Sequence, residues 1–270
     1  MIVTLITGAS DGIGAELARQ LAARQKTEAA LALAGRNADK LHAVAAQCAV
    51  HGAQVHTHAA DVGFETQCRA LVAGTVARFG RLDNLINNAG ISAQALFEEV
   101  HASDLHWYET LMRVNHCGAV WCTHEALPHL KASRGRIVAV NSLAGLVGVP
   151  GRTAYSASKF AMTGFFEALR AELKGAGVSV TTAYPGVVAT QIRYRGFNAR
   201  GEAAGASGLK EDDAMSVDDC TRLILAGMQR RDREVVMTTR GKLGRLLKIL
   251  APGLVENMAL AALKEEVRPR

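Results

Sequence analysis

Tyr155-Ser-Ala-Ser-Lys159 places a phenol and an ammonium four residues apart in a run that a helix accommodates. On a helix the two side chains share a face. A phenol near its ordinary pKa of about 10 is a poor base at neutral pH, but an ammonium within roughly 4–6 Å favours the phenolate and lowers that value. The pair is therefore a candidate acid/base. Thirteen residues upstream, Ser142 closes the apolar run Arg136-Ile-Val-Ala-Val-Asn-Ser142, and Gly145 and Gly148 open a loop behind it. A hydroxyl at the carboxyl end of a buried strand lies where open α/β sheets hold their ligands.

The start of the chain supplies the framework. Ile2-Val-Thr-Leu-Ile6 is a short apolar run rich in β-branched residues, Thr7-Gly8-Ala-Ser10-Asp11-Gly12-Ile13-Gly14 follows it directly, and Ile13, Leu17 and Leu21 then recur at helical spacing. Strand, glycine loop and helix in that order form the first turn of a dinucleotide site: amides at the helix N-terminus face a pyrophosphate, and glycines let the backbone approach it. Six further strand candidates follow, at 30–34, 54–58, 82–86, 136–140, 178–182 and 234–238, separated by helical patterns near 39–50, 64–79, 104–131, 153–174 and 217–230. This alternation predicts an α/β, single-domain Rossmann fold, a doubly wound seven-stranded parallel sheet with helices on both faces. The glycine-rich stretch 196–208 reads as a mobile loop within that domain, a lid for a ligand.

Composition narrows the class. The 270 residues are 49% hydrophobic, enough for one large core. The net charge of +6 suggests nucleic acid only until it is divided: residues 240–270 hold 7 Lys/Arg against 3 Asp/Glu, leaving 24 against 22 in residues 1–239. A nearly neutral body with 5% aromatic residues predicts no nucleic-acid partner. Five scattered cysteines without Cys-x-x-Cys pairs, the absence of a leader pattern and the absence of a long apolar run predict a reduced, cytoplasmic protein without a spanning segment. His42, His51, His56 and His58 cluster in sequence, but the acids nearby fall elsewhere, so solvated histidines and no metal are expected.

Taken together, these motifs resemble the short-chain dehydrogenase/reductase family over about the first 240 residues. Thr7-Gly8-x-x-x-Gly12-x-Gly14 matches its cofactor loop, Asp61-Val62 its adenine-contacting pair, and Asn87-Asn88-Ala89-Gly90 the motif after its fourth strand. Pro185-Gly186-Val187-Val188-Ala189-Thr190 matches the segment bordering the nicotinamide, and Asn115, Ser142, Tyr155 and Lys159 match the four catalytic positions. The resemblance implies hydride transfer between a nicotinamide and a ketone or secondary alcohol, with Tyr155 moving the proton and Ser142 steadying the substrate oxygen. Lys159 would hold the ribose and depress the Tyr155 pKa, and Asn115 would anchor a water that relays protons. The alternatives in view are a non-catalytic nucleotide sensor, an NAD-dependent member of the family, and an epimerase or dehydratase, whose relatives are usually longer.

For the cofactor, an acid about 20 residues past the glycines would bind the ribose 2′-hydroxyl of NAD. The second strand instead ends Gly35-Arg36-Asn37, with Arg36 22 residues past Gly14. A guanidinium there suits a 2′-phosphate, Ser10 adds a hydroxyl, and NADP is expected over NAD. Asp11 runs the other way, since some NADP-preferring relatives carry a basic residue at that position. Leu143, Leu146, Val147 and Val149 suggest apolar pocket walls and a hydrophobic substrate, steroid-like, fatty-acyl or xenobiotic. The helices at 104–131 and 153–174 carry Val120, Trp121, Phe165 and Phe166 beyond one narrow stripe, predicting a homodimer or a tetramer of dimers. Residues 241–270 read as a helical extension of the same domain. Leu243, Leu246, Leu247 and Leu250 follow helical spacing with Lys242, Arg245 and Lys248 off that stripe, so the extension caps the pocket mouth or the dimer, with weak contact to an anionic membrane surface as the minority alternative.

Overall fold

The computed structural model describes residues 1–263; the last seven residues of the C-terminal extension lie outside the described part. Seven strands form one all-parallel sheet in the order β3-β2-β1-β4-β5-β6-β7. They are β1 (Ile2–Thr7), β2 (Ala29–Gly35), β3 (Gln54–Ala59), β4 (Asn84–Asn87), β5 (Arg136–Val140), β6 (Ser179–Tyr184) and β7 (Glu234–Val236). The helices are α1 (Gly12–Gln25), α2 (Ala38–Ala49), α3 (Glu65–Phe79), α4 (His106–Met112), α5 (Gly118–Ser133), α6 (Thr153–Glu172), α7 (Val217–Arg230), α8 (Thr239–Leu250) and α9 (Pro252–Ala261). Strand order reverses direction between β1 and β4, and the crevice there opens at the strands' carboxyl ends.

The sheet separates two cores, as continuous apolar strands demand when both faces are covered. One packs α3, α5 and α6 against it through residues such as Leu71, Ala126 and Phe166. The other packs α1, α2 and α7 through Leu17, Leu41 and Ile224. Phe166 is fully buried in the first core, which corrects its expected place on a subunit-pairing face; its burial contributes roughly 1.5–3 kcal/mol to this fold. Val120, Trp121 and Phe165 remain half-buried on the outer side of α5 and α6.

The segment expected as one long helix at 104–131 is interrupted: a π turn spans Arg113–Cys117 between α4 and α5. At this turn Asn115 points inward and bonds the main chain of Ile91, 24 residues away, at both ends of its amide. The 196–208 segment is stitched to the body through Phe197, whose amide donates to Ser92 and whose carbonyl accepts from Gln94 (2.9 and 2.8 Å).

The expectation of solvated histidines holds for His42 and His51, which are exposed, and is corrected at His58. His58 on β3 packs under α3, where Gly74 leaves space for its ring: a Cβ there would come within 2.8 Å of it. Burial, with His56 beside it, pulls the His58 pKa from 6.5 down to about 4. The folded protein therefore binds fewer protons at this site than the unfolded chain. The resulting stability is complete above about pH 6.5 and is lost as pH falls toward 4. His58→Gln should consequently lose less melting temperature than wild type between about pH 7 and 4, a difference that thermal melts at the two values measure. An equal loss would remove His58 from the acid response. Among the described residues no cluster of three metal-ligating side chains occurs.

The C-terminal helices meet the body through Val255 and Leu263, and Lys248 Nζ donates to Leu146 O (3.0 Å). The expected apolar stripe is not what they bury: Leu243, Leu246 and Leu250 are exposed, with Leu247 half-buried. Period alone marks a face without saying what covers it.

Candidate active site

Two loops meet at the reversal point. Gly8 takes a left-handed conformation (φ +67°), and a Cβ on it would lie 2.8 Å from Ala89 Cα. A Cβ on Gly14 would lie 2.1 Å from Gly8 O, so α1 packs directly on the loop. Asn88 closes the join, its side-chain amide donating to Thr7 O (2.9 Å) and Gly8 O (3.2 Å), while Thr7 Oγ1 accepts from the amides of Asn88 and Ala89. The result is a closely packed loop at the N-terminus of α1, where glycines bring the backbone forward, and it fits a pyrophosphate. Across it, Asp61 bonds Gly63 N with one oxygen and faces the same cleft.

Asp11 caps α1 and is held by two cations, Arg195 (2.7 Å) and Lys40 (3.1 Å). Partial burial acts to raise its pKa, but Arg195, Lys40 and the Gly12 amide outweigh it and hold the carboxyl at about 2. Arg36 stands exposed at the tip of β2 and faces the cleft. Arg36, Arg195 and Lys40 thus set three cations against the one Asp11 carboxylate on this rim.

At the far end, β5 delivers Ser142 and α6 delivers Tyr155 and Lys159 from its first two turns. Asn141 joins these elements, its amide donating to Lys159 O (3.1 Å) and Thr163 Oγ1 (2.9 Å). Lys159 is buried, donates to Val140 O (3.1 Å) and lies 5.8 Å from the centre of the Tyr155 ring. Burial raises the Tyr155 pKa, but Lys159 first, then Arg152, the Ser142 hydroxyl and Arg193 overcome it, so the phenol is lowered from its ordinary value. Burial likewise lowers the Lys159 pKa, and Arg152 adds to this against the opposing pull of Tyr155.

The cleft is about 460 Å³. Of the expected apolar walls Leu143 and Val149 line it and Leu146 and Val147 do not, and every expected catalytic and cofactor residue lines it except two. Gly14 supports the loop from behind, and Asn115 is fully buried between Ile91 and Ser158 Oγ (2.9 Å). Asn115 thus positions the strand-end loop that carries Gly90, whose hypothetical Cβ would be 3.3 Å from Asn115 Oδ1 and 3.8 Å from Lys159 Nζ. Sequence reasoning missed Arg152, Arg193 and Arg195, which face the cleft, and Lys40, which steadies Asp11. Their partners are remote in sequence, such as Ser92 for Arg152 and Asp11 for Arg195. Ala259 and Ala262 bring the C-terminal extension to the cleft mouth.

Comparison with known proteins points one way. The family model described as short chain dehydrogenase matches residues 2–200. The chain is 36% identical over 261 residues to 11-beta-hydroxysteroid dehydrogenase 1A of Arabidopsis thaliana, covering 94% of this chain and 73% of that protein. It is 37% identical over 261 residues to 11-beta-hydroxysteroid dehydrogenase A of Arachis hypogaea, with the same coverage. Among solved structures, a short chain dehydrogenase/reductase from Burkholderia phymatum in complex with NAD superposes with a TM-score of 0.80 at 24% identity, covering 94% of each chain. An alcohol dehydrogenase from the archaeon Thermococcus sibiricus complexed with 5-hydroxy-NADP gives 0.72 at 24% identity, covering 87% of this chain and 94% of that one.

Proposed function

Because the chain belongs to the short-chain dehydrogenase/reductase family and is an oxidoreductase of the alcohol/ketone type, we propose that it moves a hydride between NADP(H) and a hydrophobic ketone or secondary alcohol. When bound, the nicotinamide cofactor supplies or takes up that hydride. The chain's own residues do the rest. In the direction of reduction Tyr155 donates its hydroxyl proton to the substrate oxygen, and in oxidation the phenolate removes it. Ser142 donates a hydrogen bond to the same oxygen as charge develops there. Lys159 favours the phenolate and would hold the ribose hydroxyls of the cofactor. Asn115 fixes the loop against which both are set.

One observation carries this reading: a buried phenol, lowered by the three buried cations Lys159, Arg152 and Arg193, stands beside a strand-end hydroxyl in a cleft whose other end is a glycine cradle. Relatives named as hydroxysteroid dehydrogenases support a secondary alcohol or ketone as substrate, and Ile91, Leu143, Val149 and Leu209 give the cleft apolar walls. The cation-rich rim around Arg36 supports NADP. The test is the loss of NADPH absorbance on mixing the protein with a panel of apolar ketones. No loss with any ketone, by protein that binds NADPH, would favour the nucleotide-sensor alternative.

For partners, we propose self-association through the half-buried Val120, Trp121 and Phe165 of α5 and α6, which light scattering tests. The exposed leucines of α8, interleaved with Lys242 and Lys248, support weak contact with an anionic membrane surface, which liposome co-sedimentation tests. Among the described residues no helix is long and apolar enough to cross a membrane.

A further inference from the structure

Arg152 lies three residues before Tyr155, and the mechanism above gives it no bond to make. The residue is buried, with 8% of its surface exposed, and its guanidinium stacks 4.2 Å over the Tyr155 ring centre. Its Nε donates to Ala93 O (3.3 Å) and its Nη2 to Ser92 Oγ. Nη1 has no acceptor among the described residues, yet it is not sealed in, and the residue lines the cleft.

A buried cation without a partner is expensive, and proteins ordinarily pair it. The imbalance is larger than one residue. Around Tyr155 stand three cations, Lys159, Arg152 and Arg193, and among the described residues the carboxylate paired with any of them is Glu211, on Arg193 (2.6 Å). Lys159 has a task on the cofactor side and Arg193 has its carboxylate. Arg152 lines the same cleft and keeps Nη1 without an acceptor among the described residues.

We propose that Arg152 recognises a carboxylate on the substrate, so that the compound reduced or oxidised here is an apolar oxo or hydroxy acid. This narrows the proposed function and rests on it for the redox step. A single free edge beside the apolar walls of Leu143, Val149 and Ile91 suits one monoanionic carboxylate on an apolar chain better than a phosphate, which calls for several donors. Because the guanidinium lies against the Tyr155 ring, the carboxylate sits on a carbon close to the one that reacts. Docking the acid supplies the missing counter-charge; a neutral ester of the same shape does not.

The experiment uses 3-hydroxyoctanoate and its methyl ester. Calorimetric titration of each into the NADPH-loaded protein, where neither can react, reads binding alone. Wild type should bind the acid on the order of tenfold to hundredfold more tightly than the ester, the factor a charge-assisted contact gives. Arg152→Met should erase that ratio, and Arg152→Lys should restore part of it. The acid-to-ester ratio of kcat/KM with NADP should follow the same order, because any effect of the substitution on Tyr155 falls on both compounds and cancels. Equal binding of acid and ester by wild type, or a preference that survives in folded Arg152→Met, overturns the proposal. If the acid preference is present and neither compound is turned over, the carboxylate site stands and the redox reading fails.

Discussion

Tyr155→Phe removes nearly all turnover while leaving NADPH affinity close to that of wild type. In the proposed reaction the phenol exchanges the proton with the substrate oxygen, and a positioned acid/base contributes about 10²–10⁴-fold. The change deletes one oxygen and leaves the ring under Arg152 and the glycine cradle intact. It is measured as a fall in kcat of that size beside a nearly unchanged NADPH titration. In wild type the rate of alcohol oxidation should rise with pH through a midpoint below the ordinary phenol value of 10, because burial is outweighed by Lys159 and Arg152 and the phenolate is the base. Substantial activity in Tyr155→Phe, on any substrate that wild type reduces, would sink the assigned chemistry.

Arg36→Asp weakens NADPH by about tenfold to a hundredfold and improves NADH relative to it. Losing a charge-assisted hydrogen bond costs roughly 1.5–3 kcal/mol, which corresponds to that range. A carboxylate in place of Arg36 repels a 2′-phosphate and accepts a bond from a free 2′-hydroxyl. Asp11 does not undo the argument, because Lys40 and Arg195 already neutralise it. Parallel titrations with the two reduced cofactors check the result. If wild type binds NADH as tightly as NADPH, Arg36 has been assigned the wrong ligand.

The framework was legible because its signals are local. β-branched runs, a glycine loop and helical spacing each span a few residues, and together they place β1, the cradle and α1, and later β5 and α6, nearly where they lie. Asn115, Ser142, Tyr155 and Lys159 could be read from motif order, and the structure brings Ser142, Tyr155 and Lys159 to the cleft. The remainder depends on long-range contacts. Arg152 is followed by a helix and gives no sign of stacking on Tyr155 or reaching Ser92, 60 residues away. Asp11 and Arg195 are separated by 184 residues, so the pairing that masks the Asp11 charge has no local trace. Phe165 and Phe166 are neighbours of equal hydropathy, and only the packing of α6 on the sheet sends one outward and the other into the core. The π turn at Asn115 accompanies bonds to Ile91 that no helix propensity encodes.

In the proposed reaction the hydride passes directly between cofactor and substrate at a Tyr155-centred cleft. This transfer is tested most directly by reducing a ketone with NADPH deuterated on the transferring face of the nicotinamide and analysing the alcohol by mass spectrometry. The account predicts one deuterium on the carbinol carbon with wild-type protein and almost no labelled alcohol with Tyr155→Phe. NADPH consumption that leaves the carbinol carbon unlabelled, or equal labelling by the two proteins, would contradict it.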